Sequence, residues 1–182
     1  MRRTTVLMAA GVAALGAAVL VSRVEARAAG AAPLDDATIV AIFDAANTFD
    51  IETGSLAVAR AQNKEVRDYG RMLVDVHTAV RQKGRDLAAK LGVTPTPPED
   101  FQMSADHAAA VKRLQSVQGA SFDRAFLEHE QAYHAAVLAA VKTTLLPAIQ
   151  NQELKDFVTS LAPAFEAHRL AAENYEKRLF GK

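Results

Sequence analysis

Apolar residues recur every three to four positions along four long segments of the chain, which is the periodicity of amphipathic α-helices. Breaker residues separate these segments, and no segment shows the two-residue alternation of a β-strand. The pattern predicts an all-α protein. Its long helices are expected over residues 35–61, 64–91, 121–146 and 152–179, with a shorter helix over 104–116.

Capping residues and connecting segments indicate how the helices join. Asp35 and Asn63 are placed to cap the first two helices, and Gly92 is placed to end the second. Residues 94–98 include three prolines, which make a stiff and extended connection. Because this is the longest interruption, it should cross between two helical hairpins. The expected fold is a ferritin-like four-helix bundle with a short extra helix in the crossover.

The N-terminal segment has the layout of a secretory signal peptide. Arg2 and Arg3 precede an uncharged run at residues 6–21, and a small-x-small cleavage pattern follows at 26–28. A spanning helix needs about 17–25 apolar residues, so cleavage is favoured over an uncleaved anchor. The expected domains are a signal peptide at 1–28, a short linker at 29–34, and the helical bundle at 35–180.

Composition narrows the location and the partners. The 182 residues include no cysteine, which excludes disulfides, thiolate-bound zinc and thiol catalysis. Lys and Arg number 21 and so do Asp and Glu, so no nucleic-acid partner is expected. Without residues 1–28 the balance becomes 17 to 20, which is mildly acidic. A cysteine-free exported protein fits the bacterial periplasm, with no stable membrane span after cleavage. The sequence identifies neither a protein partner nor a small molecule.

Ionisable residues interrupt the apolar face of every long helix: Glu52, His77, His134 and His168. Counted from the hairpin turns they lie at similar heights, so one layer near mid-bundle can hold all four. Glu130, one turn before His134, is a further candidate ligand. Three imidazoles and a carboxylate suit one divalent transition metal, namely Zn, Fe, Cu or Mn.

The same layer has a structural interpretation, because single histidines on apolar faces are usually satisfied core residues. Glu52 and a protonated histidine could form a buried ion-pair network without a metal. The protein would then be a non-catalytic envelope protein that binds a partner or supports stress tolerance. A third hypothesis is an oxidase or peroxide-handling enzyme. The sequence contains no nucleophile–base pair, phosphate loop or dinucleotide fingerprint, so a role without catalysis is favoured.

The chain contains, in order, the motifs Glu52-x-Gly54-x-Leu56-Ala57, Asn63-x-x-Val66, Leu73-Val74-Asp75-Val76-His77, Phe122-Asp123-x-x-Phe126-Leu127 with His134, and Leu154-Lys155 and Ala162-Pro163 with His168. This series resembles the bacterial domain-of-unknown-function family 4142 over about residues 35–180. The resemblance implies a ferritin-like fold, export to the envelope and no established activity. It points to the same positions, Glu52, His77, His134 and His168. The chain lacks the Glu-x-x-His pairs of two-metal ferritin-like proteins, so the set suits a single ion.

Overall fold

The computed structural model describes residues 34–99 and 101–181, and within them it is all-helical with no β-strand. This confirms the predicted all-α class. The expected signal peptide at 1–28, and the linker as far as residue 33, lie outside the described residues. The helices are α1 Asp36–Arg60, α2 Lys64–Leu91, α3 Gln102–Gln115, α4 Gly119–Ala140 and α5 Gln152–Phe180. A π-helical turn, Val141–Leu145, and a short segment, Leu146–Ala148, prolong α4.

The caps expected for the first two helices are confirmed. Asp35 Oδ1 accepts a hydrogen bond from the backbone N–H of Thr38 at 2.7 Å. Asn63 Oδ1 accepts from the N–H of Glu65 at 2.8 Å. Gly92 ends α2 in the left-handed conformation at φ 68°, which glycine adopts without a steric penalty.

The boundaries of the later helices differ from the expected ones. Helix α3 begins at Gln102 rather than Ser104, and Phe101 at its N-cap makes no side-chain hydrogen bond. Helix α4 begins at Gly119, two residues before the expected start at 121, and Gly119 has φ 59°. The helix expected over 121–146 does not end before Pro147, which lies in the short segment after the π-turn.

The long helices form two hairpins, α1 with α2 and α4 with α5, which pack against each other. The first hairpin contains a very close backbone approach. A Cβ on Gly54 would lie 2.8 Å from the carbonyl oxygen of Gly70, and a Cβ on Gly70 would lie 2.7 Å from the Cβ of Ala57. Glycine at both positions therefore allows α1 and α2 to pack this tightly.

The interior has two apolar clusters with a buried polar layer between them. On α2, for example, His77 lies between Leu73 of one cluster and Val80 of the other. The buried polar residues of the layer come from α1, α2, α4 and α5, so all four long helices meet there. The large apolar members include Ile39, Phe43, Leu138, Val158 and Phe165 in one cluster, and Leu73, Leu114, Phe122, Phe126 and Leu127 in the other.

Candidate metal centre

Three buried histidines from three different helices meet in the polar layer. His77 of α2, His134 of α4 and His168 of α5 are 1%, 1% and 7% exposed. One ring nitrogen of each lies within 4.8 Å of a ring nitrogen of the other two. Their ring centroids are 5.2 to 5.7 Å apart. The structure thus brings together all three histidines that the sequence singled out.

Hydrogen bonds fix which ring nitrogen of His77 and His134 is free. Asn47 donates through its amide nitrogen to the carbonyl of Phe43, so its Oδ1 accepts from His77 Nδ1 at 2.9 Å. His134 Nδ1 donates to the carbonyl of Glu130 at 3.0 Å. Both rings therefore carry the proton on Nδ1 and present the Nε2 lone pair to the interior. This is the usual way in which hydrogen bonding orients a metal-ligating histidine.

Burial keeps these imidazoles neutral. Loss of solvation, with repulsion from the neighbouring histidines, lowers the pKa of His77 and that of His134 to about 3. Burial also lowers the pKa of His168. Since the neutral imidazole is the form that binds a metal, the three rings are available as ligands at neutral pH.

Two buried carboxyl groups, Asp50 from α1 and Glu130 from α4, adjoin the three histidines at 4% and 0% exposure. With His134 they form a second group whose ligand atoms lie within 4.8 Å of one another, so His134 belongs to both groups. Asp50 Oδ1 lies 3.8 Å from His134 Nε2, and its Oδ2 lies 3.4 Å from His77 Nδ1. Glu130 Oε1 accepts from the hydroxyl of Thr53 at 2.8 Å, and its Oε2 lies 3.5 Å from His134 Nδ1. Asp50, His77, Glu130, His134 and His168 are called the His/carboxylate cluster below.

Burial affects the carboxyl groups in the opposite direction from the histidines. Loss of solvation raises the pKa of Glu130 to about 8. It also raises the pKa of Asp50 well above the usual range, with further repulsion from Glu130. Around neutral pH the metal-free pair therefore holds protons, which a bound cation would displace.

Every residue of the cluster has a buried polar atom without a hydrogen-bond partner among the described residues. Such an atom costs about 1–3 kcal/mol, and native proteins keep few of them. The Nε2 atoms of His77 and His134 both present lone pairs, so they cannot satisfy each other. A bound cation would displace the carboxyl protons, after which the carboxylate oxygens would also present only electron pairs. A cation would satisfy them. The atoms are Asp50 Oδ1, His77 Nε2, Glu130 Oε2, His134 Nε2 and His168 Nδ1.

Glu52 does not join the cluster, so its expected position in the mid-bundle layer is wrong. Its side chain is 55% exposed, and its Oε2 lies 2.6 Å from His107 Nε2 on α3. Two residues along a helix turn the side chain by about 200°, so Glu52 points away when Asp50 points inward. His107 is buried at 8% exposure, and its ring stacks on that of Phe49 with the centroids 4.1 Å apart.

Asp50 is the cluster residue that the sequence did not single out. A signal for it exists, because buried α1 residues recur at the helical spacing from Phe43 through Asn47 and Asp50 to Ala57. Apolar residues lie on all sides of α1, however, so a stripe through Phe49 looked equally plausible. From the sequence alone, the α1 positions that carry Asn47 and Asp50 could not be distinguished from a solvent-exposed face.

The fold and the site define an all-helical protein with a buried cluster of His and carboxylate side chains. A family model described as "Domain of unknown function (DUF4142)" matches residues 22–175, a range that includes the whole cluster. The chain therefore belongs to this family, as the sequence motifs indicated. No curated protein and no solved structure shows a significant match to it. None of the described helices is long and apolar enough to cross a bilayer.

Proposed function

We propose that this protein binds one divalent transition-metal ion in the His/carboxylate cluster. The observation that carries this proposal is that all five cluster residues have a buried nitrogen or oxygen atom without a hydrogen-bond partner among the described residues. His77, His134 and His168 would bind through their free ring nitrogens, and Asp50 would join them from beside His134, where its Oδ1 lies 3.8 Å from Nε2. Glu130 would be a further ligand, or its carboxylate would accept a hydrogen bond from His134.

The donor set narrows the class of metal. Imidazole-rich sites suit Zn, Fe, Cu and Mn, whereas Mg and Ca prefer sites made of oxygen ligands alone. A bound iron, copper or manganese ion would supply redox chemistry, and zinc would supply Lewis acidity or a structural crosslink. The residues of this chain would hold the ion away from water, between two apolar clusters.

A second candidate function has its own support in the layer. The Asn47–His77 and Thr53–Glu130 hydrogen bonds show that part of the layer is satisfied within the protein. Under this alternative the cluster only specifies the packing, and the protein is a non-catalytic envelope protein that interacts through its surface. The two functions differ in whether the folded protein gains stability from a metal.

Metal-dependent melting distinguishes the two functions. A ligand that binds only the folded state raises the melting temperature by mass action. We expect Zn, Mn, Cu(II) or Fe(II) to raise the melting temperature of the wild type. We expect the same ion to leave the melting temperature of His134→Gln unchanged. His129→Gln is the matched control, because His129 lies on the same helix about 140° round from His134. If none of the four ions shifts the melting temperature and untagged protein purified from cells contains no metal, the metal function is wrong. The polar layer then has the structural role of the second candidate function.

We also propose that the helices form a ferritin-like four-helix bundle and that the protein is exported to the periplasm. Two hairpins joined by a crossover support the fold. The charged start and uncharged run at residues 6–21 support export. The intact mass of protein recovered from the periplasm tests the second point. We expect the mass of a chain whose first residue lies between 27 and 32. A mass that includes residues 1–25 would indicate an uncleaved anchor.

A further inference from the structure

A cavity of about 310 Å³ lies between α1, α2, α5 and the proline-rich crossover. It shares no residue with the His/carboxylate cluster. Its lining is mainly apolar, and three charged residues, Asp44, Arg81 and Arg85, also line it. Ligand pockets typically have volumes of about 300–1,000 Å³, so this one is at the small end of that range. The principal apolar lining residues are Val40, Phe43, Pro95, Pro97, Leu154 and Phe157.

The walls of this cavity are fixed by the fold. The backbone N–H of Thr96 donates to the carbonyl of Ala37 at 3.2 Å, which holds the proline-rich segment beside α1. Phe43 and Phe157 pack edge to face, with ring centroids 5.7 Å apart and an interplanar angle of 67°. The site is therefore formed before any ligand arrives, which lowers the entropic cost of binding.

Gly84 of α2 creates part of the open space. Glycine inside a helix destabilises it relative to alanine. At Gly54 and Gly70 a close backbone approach requires glycine, but at Gly84 none does. A Cβ there would lie 3.6 Å from Phe157 and 3.7 Å from Phe43, which are ordinary van der Waals distances. Packing does not explain this glycine, and its main consequence is room beside the aromatic pair.

The charged residues beside the cavity carry a surplus positive charge. Arg85 binds Asp44 in a bidentate manner through Nε and Nη2, with the Nη2–Oδ2 distance at 3.0 Å. Arg81 reaches the same carboxylate by one long contact, with 3.3 Å between Nε and Oδ1. Two guanidinium groups thus share one carboxylate. Arg85 already satisfies Asp44, so Arg81 has donors available to an anion.

We propose that this cavity binds a medium-chain alkyl carboxylate, with the alkyl chain beside Phe43 and Phe157 and the carboxylate on Arg81. The apolar lining fits the chain, and the surplus cation fits the head group. The volume fits a chain of medium length within the pocket. This site is independent of the proposed metal function, since the two share no residue.

Calorimetric titration of the whole protein with decanoate tests the proposal. We expect saturable binding of decanoate, and binding of decan-1-ol that is at least tenfold weaker. Arg81→Gln should weaken decanoate binding at least tenfold while Arg85 keeps Asp44 paired. Arg71→Gln, which changes an exposed arginine of the same helix, should leave the affinity unchanged. Absence of decanoate binding, or equal binding of the alcohol, would overturn the proposal.

Gly84→Ala tests the shape of the cavity separately from its charge. The added methyl group should lower the affinity for decanoate severalfold. It should also raise the melting temperature, because alanine favours the helix. A higher melting temperature shows that the weaker binding does not come from partial unfolding. If both Gly84→Ala and Arg81→Gln bind decanoate as tightly as the wild type, the ligand does not occupy this cavity.

Discussion

Burial at the His/carboxylate cluster favours the neutral form of every ionisable side chain. The pKa of His77 and that of His134 fall from 6.5 to about 3, whereas that of Glu130 rises from 4.5 to about 8. Loss of solvation is the main cause in each case. Each shift makes the stability of the metal-free protein depend on pH, because the folded and unfolded states bind different numbers of protons.

The metal-free protein should be most stable in mildly acidic solution. Between about pH 3 and 6.5 the unfolded histidines bind protons that the folded ones do not, so stability falls as the pH falls. Between about pH 4.5 and 8 folded Glu130 retains a proton that the unfolded chain releases, so stability falls as the pH rises. Urea unfolding with a chelator should therefore show a maximum between about pH 4.5 and 6.5. Glu130→Gln should reduce the alkaline loss, and a stability that rises steadily to pH 8 would contradict the expectation.

Asp50 and Glu52 form a matched pair of carboxylates two positions apart on α1. Asp50 is 4% exposed and faces the histidines, whereas the Glu52 side chain is 55% exposed and contacts His107. Asp50→Asn should lower the metal affinity at least tenfold, since it removes a charged ligand. Glu52→Gln should leave the affinity unchanged within about a factor of two. Titration of both variants with the ion that stabilises the wild type measures this, and the reverse order of effects would place the metal elsewhere.

The helices were predictable from the sequence to a greater extent than the faces they bury. The bounds of α2 and the caps at Asp35 and Asn63 depend on local chemistry, so the sequence alone specifies them. The inner face of α2 is also clear from the sequence, because its apolar and polar residues lie on opposite sides. His77 stands on the apolar side, so the sequence alone identified it. Helix α1 has apolar residues all round, and only the packed neighbours decide that Asp50 faces inward.

Glycines at two positions of α2 should respond oppositely to the same substitution. At Gly70 an added Cβ would lie 2.7 Å from the Cβ of Ala57, so Gly70→Ala must push the helices apart. We expect a loss of about 1–3 kcal/mol in the free energy of unfolding, the usual cost of overpacking. At Gly84 the contacts are ordinary, so Gly84→Ala should gain up to about 1 kcal/mol from helix propensity. Urea unfolding of both variants measures the difference. Equal changes in the free energy of unfolding would show that helix propensity alone determines the effect of both substitutions.

The whole molecule consists of two apolar clusters separated by the polar layer in which the four long helices meet. The apolar clusters gain from removing their surface from water, and each joins residues of both hairpins. The layer between them contains buried nitrogen and oxygen atoms that have no hydrogen-bond partner among the described residues. These atoms lower the stability at the centre of the metal-free protein. An ion bound there would link α1, α2, α4 and α5 at the place where the apolar packing is interrupted.

Hydrogen exchange should therefore show a change that is centred on the layer when metal is added. A bound ion stabilises the folded centre against local opening, so backbone amides near Asp50, His77, His134 and His168 should exchange more slowly together. Amides of α3 should change less, because this helix contributes no cluster residue. His134→Gln provides the control, since it should remove the protection in all four helices at once. Protection confined to the helix carrying one ligand would indicate binding to a single exposed side chain instead. Unchanged exchange in the wild type at saturating metal would mean that the layer holds the helices together without an ion.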